Sequence, residues 1–529
     1  MTTISTEIGV AVPMRDGIRL LADVYRPAGG GRCPVILERT PYDRTVGASF
    51  ATQLNAPRLA AAGYAVVIQD VRGRFGSEGD FYPFTAEADD GVDTIAWAAQ
   101  QPWSTGDVGM VGSSYRGYAQ VLAARECPPA LKAWFPAFTP VDIRSGWVYE
   151  GNAFCLGFNL SWTLGLIAPT DRRTRDPQRL YAALDEWPIT ARRAVADHPE
   201  LASTPAASHY FDWLRHKDET AYWRSISGAG VEGCSATAMV VGGLFDVFSG
   251  GAGALNAQLN HEAGRQQRHF LILGPWDHSP LPLQSFSGER EFGVGAVMDL
   301  AGTQQRFFDW QLRGASAPDW SRVRTFITGW NRWESWNRWP PASRNRTWYL
   351  QAGGGLDEST PPSGEQAFTI DADDPTPTLG GRLCCWPGHL RSGQFDQRPR
   401  EARPDVVSFT SAPLDQELLV VGAAAEIHSS STSTPADIFA TLVDVAPDGL
   451  ALNLAEGVHR QDCRAGTLEV FEVNLREVAH AFRKGHRIRL DVSGMSFPRF
   501  DRMPASGQSM RTIALGSTGS HLSLAVPEL

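Results

Sequence analysis

The chain has 529 residues, 43% of them hydrophobic and 20% charged. That composition excludes a disordered or fibrous protein, and at roughly 100–200 residues per domain the length suggests about three domains. A formal net charge of −10, without a lysine- or arginine-rich block, argues against a nucleic-acid partner.

The N-terminal stretch "MTTISTEIGVAVPMRDGIRL" lacks a charged region followed by an apolar one, so no secretory signal is expected. No uncharged apolar run approaches the ~18–20 residues of a membrane span, and no membrane partner is expected. Seven cysteines are scattered along the chain without a CxxC pair, which predicts reduced thiols in a cytoplasmic protein. The adjacent Cys384 and Cys385 have no assigned role.

Short apolar runs bounded by turn residues predict buried parallel strands at Pro34–Thr40, Tyr64–Gly73, Val108–Gly112, Leu131–Phe138, Thr237–Asp246 and Arg268–His278. Between the second and third, Thr85–Gln101 opens with acidic residues, which suit a helix N-terminus. It then sets Val92, Ile95, Ala96 and Ala99 on one face. Strands alternating with helices predict a parallel α/β sheet. From about Val141 to Gly233 the pattern turns helical and rich in tryptophan and arginine, which reads as an insertion over the C-terminal edge of the sheet. From about Arg346 short strands separated by turns predict an all-β domain of sandwich or jelly-roll type. The domains expected are therefore a hydrolase-like α/β core over 1–140 and 236–345, a helical cap over 141–235, and a jelly roll over 346–529.

"VGMVGSSYRGYAQ" (Val108–Gln120) joins a strand to a helix through two serines. In α/β hydrolases the nucleophile sits on such a turn, and small residues near it let the helix pass close to the strand. Centring on Ser114 puts Gly112 two residues before it and Gly117 three after; centring on Ser113 puts Val111 and Tyr115 on the flanks. Ser114 is the better candidate, although Arg116 occupies the fifth place of a strict G-x-S-x-G. A serine needs a base, and the base an orienting carboxylate, in the order Ser, Asp or Glu, His. His278 directly follows a strong apolar run at a predicted strand end, whereas His269 precedes the same run and belongs at the opposite edge. Asp246, at the end of a neighbouring strand, is a better orienter than Asp277, because adjacent side chains rarely face each other.

With those residues in place the chain resembles the cocaine esterase and X-prolyl dipeptidyl-peptidase hydrolases, the CocE/NonD family. The motifs are "RTPYDR" (Arg39–Arg44), "QDVRGRFGSEGDF" (Gln69–Phe81), "GSSYRG" (Gly112–Gly117), "GGLFDVF" (Gly242–Phe248), "GPWDHS" (Gly274–Ser279) and "DQRPREARPDVVSFTSAPL", which opens the β domain. The resemblance implies an α/β-hydrolase core, an inserted helical cap and a C-terminal jelly roll. It implies Ser114 as nucleophile, His278 as base, Asp246 as its orienter, and an oxyanion hole made of the Tyr42 hydroxyl and the Tyr115 N–H. By the same likeness Trp147, Trp162 and Phe248 hold the positions of the aromatic walls that take a benzoyl group. The motif Gln69–Phe81 reads as structural, with Asp70 and Arg72 holding the loops around the elbow. No cofactor and no metal are expected, since there is no HExxH and no Cys/His cluster with ligand spacing.

The substrate class has competing readings. The α-amino acid ester hydrolases that the chain resembles place a carboxylate pair just after the triad aspartate, whereas here Asp246 is followed by Val247, Phe248 and Ser249. The expected function is therefore a serine hydrolase acting on small-molecule esters with an apolar or aromatic acyl group. An amide-cleaving acylase or X-Pro peptidase is the alternative, and a non-catalytic binding protein stands behind both. Whether the jelly roll walls the active site or builds a homo-oligomer stays open.

Overall fold

The computed structural model describes residues 3–47, 54–174, 193–261, 268–278, 284–385, 390–503, 506–516 and 519–528. Its first body is built on a ten-stranded sheet. In chain order the strands are β1 (Ile4–Pro13), β2 (Arg19–Pro27), β3 (Cys33–Thr40), β4 (Ala65–Asp70), β5 (Ser104–Ser113), β6 (Leu131–Ala137), β7 (Thr237–Gly243), β8 (Phe270–Gly274), β9 (Val323–Ile327) and β10 (Arg332–Trp336). They lie in the order β1-β2-β4-β3-β5-β6-β7-β8-β9-β10. Strands β3 to β9 are parallel to one another, and antiparallel strands finish both edges.

The central strands are apolar on both faces because both faces are covered. Helices α1 (Glu87–Gln100), α2 (Tyr115–Arg125) and α3 (Gly251–Leu259) lie among the elements packed on the sheet, as does α4 (Leu300–Arg313). On β3, Val35 and Leu37 enter one core and Ile36 the other. The alternation is that of a strand buried on both sides. Helix α1 has no side-chain cap bond, but Glu87, Asp89 and Asp90 sit in its first turn, where the helix dipole favours negative charge.

Between Ala137 and Thr237 the chain leaves the sheet. A long helix at Leu156–Thr174 and shorter ones at Ser208–Arg215 and Thr220–Ser225 cover its C-terminal edge, and a two-residue hairpin at Tyr149–Glu150 and Ala153–Phe154 accompanies them. From Ser343 onward the chain is almost entirely strand. Eleven strands form one connected sheet, because the strand Gly422–Ser431 pairs with three neighbours, at 469–474, 508–515 and 521–527. Its inward side chains, among them Phe409, Ile427, Leu442 and Leu490, bury a separate core.

A buried ionic cluster joins this β domain to the insertion. Arg499 donates to Glu150 at 2.8 Å and also contacts Glu456, and Arg476 lies 3.5 Å from Glu150. Among the described residues no helix is long and apolar enough to cross a membrane. The expectation of uniformly reduced thiols is corrected at one place. The backbone turns sharply at Cys385, with φ +78°, and Cys384 and Cys385 are joined as a disulfide; the other five cysteines are free.

Candidate active site

Strand β5 ends at Ser113 and helix α2 begins at Tyr115, so a single residue, Ser114, makes the turn. Its φ of +59° and ψ of −127° lie where L-residues are rarely found, a conformation that costs on the order of 1–3 kcal/mol. The neighbourhood holds it there. The Ser114 N–H donates to the carbonyls of Ala137 (3.0 Å) and Phe138 (3.1 Å) at the end of β6. Both flanking glycines are needed for space. A Cβ on Gly112 would stand 2.6 Å from Arg116 Cβ, and one on Gly117 would stand 2.9 Å from the Ala137 carbonyl oxygen.

Asp246 and His278 lie on the loops after β7 and β8, which pair in register as far as Gly243 and Gly274. Beyond the strands the two loops stay tied, the Leu244 N–H donating to the Gly274 carbonyl (2.9 Å) and the Phe245 N–H to the Trp276 carbonyl (3.1 Å). Asp246 is buried; one carboxylate oxygen accepts from the Phe248 N–H at 2.6 Å and the other from His278 Nδ1 at 2.6 Å. A carboxylate only accepts, so this bond fixes the imidazole proton on Nδ1 and leaves Nε2 as acceptor. Nε2 lies 3.0 Å from Ser114 Oγ. The sequence-predicted serine, histidine and aspartate thus form one hydrogen-bonded relay. Asp277 instead accepts from Ser392 Oγ (2.9 Å) and Ser287 Oγ (3.3 Å). His269 is buried at the far end of β8, where its Nδ1 accepts from the Ala238 N–H, and burial pushes its pKa down to about 4.

Tyr42 follows β3, on a loop pinned from several sides. Arg74 donates to the Pro41 carbonyl (2.9 Å) and to the Leu166 carbonyl of the insertion (3.0 Å). Two residues beyond Tyr42, Arg44 pairs with Asp70 at 2.5 Å and with Asp23 at 2.8 Å. Arg72 bonds Asp90 and Asp16. The Tyr42 ring is partly exposed, but its hydroxyl is directed inward and accepts from Trp162 Nε1 at 2.9 Å. Burial of that hydroxyl raises its pKa, against smaller opposing pulls from Trp162, Arg116 and Ser114, so the group keeps its proton. The Tyr115 N–H belongs to the first turn of α2, whose amides have no carbonyl within the helix to bond. The Tyr115 side chain points away into the core, donating to Glu87 at 2.8 Å and stacking on Phe84.

A cavity of about 320 Å³ opens onto Ser114 and His278. The described residues lining it include Tyr42, Ser113, Arg116, Phe138, Ser161, Trp162 and Cys385. Of the three aromatic residues expected to wall the acyl group, Trp162 reaches this lining. Trp147 and Phe248 form a layer behind it, buried and stacked on each other at 4.7 Å; Phe248 meets His278 edge-on at 5.1 Å. Phe138, Ser161 and Cys385 had no signal in the sequence, because each reaches the cavity only through the tertiary fold. Ser279, the last residue of the GPWDHS motif, lies outside the described residues.

The chain matches two family models in succession: the X-Pro dipeptidyl-peptidase (S15 family) over residues 16–280, and the X-Pro dipeptidyl-peptidase C-terminal non-catalytic domain over residues 310–523. It is 33% identical to the cocaine esterase of Rhodococcus sp. (strain MB1 Bresler), across 95% of this chain and 93% of that one. The chain belongs to this family of S15-type CocE/NonD hydrolases. Solved structures carry the same fold over the full length. An aminopeptidase from a marine sediment archaeon, Thaumarchaeota archaeon, superposes with a TM-score of 0.84 at 24% identity, covering 100% of this chain and 97% of that one. An α-amino acid ester hydrolase superposes with a TM-score of 0.79, also at 24% identity, covering 99% and 97%. As a member of the S15 family the protein is a serine hydrolase, with an α/β core and a C-terminal β domain.

Proposed function

We propose that this serine hydrolase cleaves carboxylic esters through an acyl-enzyme on Ser114. The carrying observation is the relay at the cavity wall, Ser114 Oγ to His278 Nε2 at 3.0 Å and His278 Nδ1 to Asp246 at 2.6 Å. Ser114 Oγ attacks the ester carbonyl carbon while its proton passes to His278 Nε2. The carbonyl oxygen becomes an oxyanion that accepts from the Tyr42 hydroxyl and the Tyr115 N–H, donors worth about 3 kcal/mol each. The bond to the alcohol oxygen breaks, and that oxygen takes the proton from His278. Water, deprotonated by the same imidazole, then attacks the acyl carbon and releases Ser114.

An apolar or aromatic acyl group is supported by Phe138 and Trp162 in the lining and by Trp147 and Phe248 behind it. Contacts between the lining rings, Phe138 and Trp162, and a bound ring are worth about 0.5–1.5 kcal/mol each beyond burial. The described lining residues include no carboxylate to receive an α-ammonium group, which disfavours the aminopeptidase reading. A cytoplasmic location belongs to the same proposal, supported by five of the seven cysteines being free, with the Cys384–Cys385 bridge standing against it. Hydrolysis of 4-nitrophenyl acetate, butyrate and benzoate by the wild type and by Ser114→Ala tests the reading. The wild type is expected to turn over all three and Ser114→Ala to fall to background. Phe138→Ala, at the cavity wall, is expected to shift the benzoate-to-acetate ratio, and an unchanged ratio there and in Trp147→Ala and Phe248→Ala removes the aromatic pocket from the proposal.

A further inference from the structure

Arg116 carries the only permanent charge among the described residues that line the cavity. It stands on the first turn of α2, two residues after Ser114. The missing side chain of Gly112 lets its stem cross the end of β5, and a Cβ on that glycine would lie 2.6 Å from Arg116 Cβ. The guanidinium then reaches Glu38 on β3 at 3.3 Å and Ser113 Oγ at 3.3 Å.

Glu38 is a buried counter-charge to this guanidinium. Its side chain has no exposure, and its second carboxylate oxygen has no hydrogen-bond partner. Burial pushes the Glu38 carboxyl toward its neutral form against the pull of Arg116. The positive end of the eleven-residue helix α2 adds to the same field. The wall beside the nucleophile is therefore cationic, in a cavity whose described lining offers no carboxylate of its own.

We propose that Arg116 selects esters bearing a carboxylate, carried on either the acyl or the alcohol portion of an otherwise apolar substrate. This inference rests on the ester reading of Ser114. Two pairs of probes separate the two placements. Mono-4-nitrophenyl adipate against 4-nitrophenyl hexanoate puts the charge on the acyl side; 4-acetoxybenzoate against methyl 4-acetoxybenzoate puts it on the alcohol side. The readout is the ratio of kcat/KM for the anionic over the neutral member, so loss of active protein cancels within each variant. A charge-assisted hydrogen bond predicts that Arg116→Leu lowers one of the two ratios by about 10- to 100-fold. Arg116→Lys, which keeps a charge without the planar fork, is expected to retain part of that ratio. Glu38→Gln, which removes the competing carboxylate at constant size, is expected to raise it. Both ratios moving by less than about threefold in all three variants overturns the proposal, as does a wild type that disfavours both anionic esters. Failure of the wild type to hydrolyse even the neutral esters overturns the ester reading instead.

Discussion

Replacing Tyr42 by phenylalanine removes one oxygen and leaves the ring in place. The hydroxyl oxygen already accepts from Trp162 Nε1 at 2.9 Å, so in the proposed mechanism its own proton is left for the oxygen that gains charge. The donor is held before substrate arrives, through Arg74 on the Pro41 carbonyl and Arg44 on Asp70, so little reorganisation accompanies the reaction. One preorganised donor of this kind is worth about 3 kcal/mol, or roughly 100-fold in kcat. Residual activity is expected from the proposed second donor, the Tyr115 N–H. The substitution also strands the Trp162 N–H, at a cost of about 1–3 kcal/mol that belongs to stability rather than to the transition state. Steady-state kinetics on a 4-nitrophenyl ester, with urea unfolding alongside, separate the two effects. The expected result is a kcat near 1% of wild type with KM within a few-fold. A fall of less than fivefold in kcat, or a loss carried entirely by KM, refutes Tyr42 as an oxyanion donor. Because burial raises the Tyr42 pKa, ionisation of this hydroxyl is not expected to lower wild-type kcat up to about pH 10, its ordinary value.

Asp246→Asn is expected to lower kcat by about 10⁴-fold, since an amide can donate to Nδ1 and turn the imidazole into the wrong tautomer; kinetics at saturating ester check it. Gly112→Ala places a methyl group 2.6 Å from Arg116 Cβ at a φ of +144°, and is expected to cost about 1–3 kcal/mol in urea unfolding together with a loss of ester turnover. Glu150 links the insertion to the β domain. Burial alone would raise its pKa, but the Arg499 and Arg476 guanidiniums prevail and hold it at about 2, below the ordinary 4.5. The folded value is the lower one, so the associated stability is complete above about pH 4.5 and is lost as pH falls toward 2. The shift corresponds to about 3 kcal/mol. Wild type is expected to lose more stability than Glu150→Gln between pH 6 and pH 3, and equal losses in urea titrations would contradict the assignment.

The six predicted parallel strands are legible because burial on both faces leaves continuous apolar runs such as "AVVI" at Ala65–Ile68. The edge strands are not. β10 reads "RWESW", a mixture of charged, polar and aromatic residues, because it has a neighbouring strand on one side only. The triad is legible for a related reason: each member stands just beyond the C-terminal end of a readable strand, where a parallel sheet gathers its loops. Trp147 and Phe248 show the limit of that logic. Composition marks them as aromatic and near the triad, but whether a ring lines a cavity or supports one that does depends on neighbours distant in sequence. Here the two rings stack on each other, and Trp162 takes the place at the cavity wall. Arg116 has a readable position on the elbow helix, yet its bearing on the cavity depends on Glu38, which comes from another strand.

The C-terminal domain supplies no member of the relay, yet the geometry ties the relay to it. Cys385 lines the cavity. Ser392 donates to Asp277, the residue before His278, at 2.9 Å. The chain just beyond His278 is laced to the same segment, the Glu289 N–H donating to the Gln394 carbonyl (2.8 Å) and the Gln394 N–H to the Ser287 carbonyl (3.2 Å). His278 is thus held through Asp246 on the core side and through Asp277 on the β-domain side. A proton transfer between Ser114 and His278 tolerates displacements of only about 0.5 Å. The anchoring of the imidazole loop therefore bears on the rate of the proposed reaction even though the relay itself holds no residue of the β domain. The arginine–glutamate cluster around Glu150 does the same for the insertion, so the walls of the cavity and the base on its floor share one rigid support.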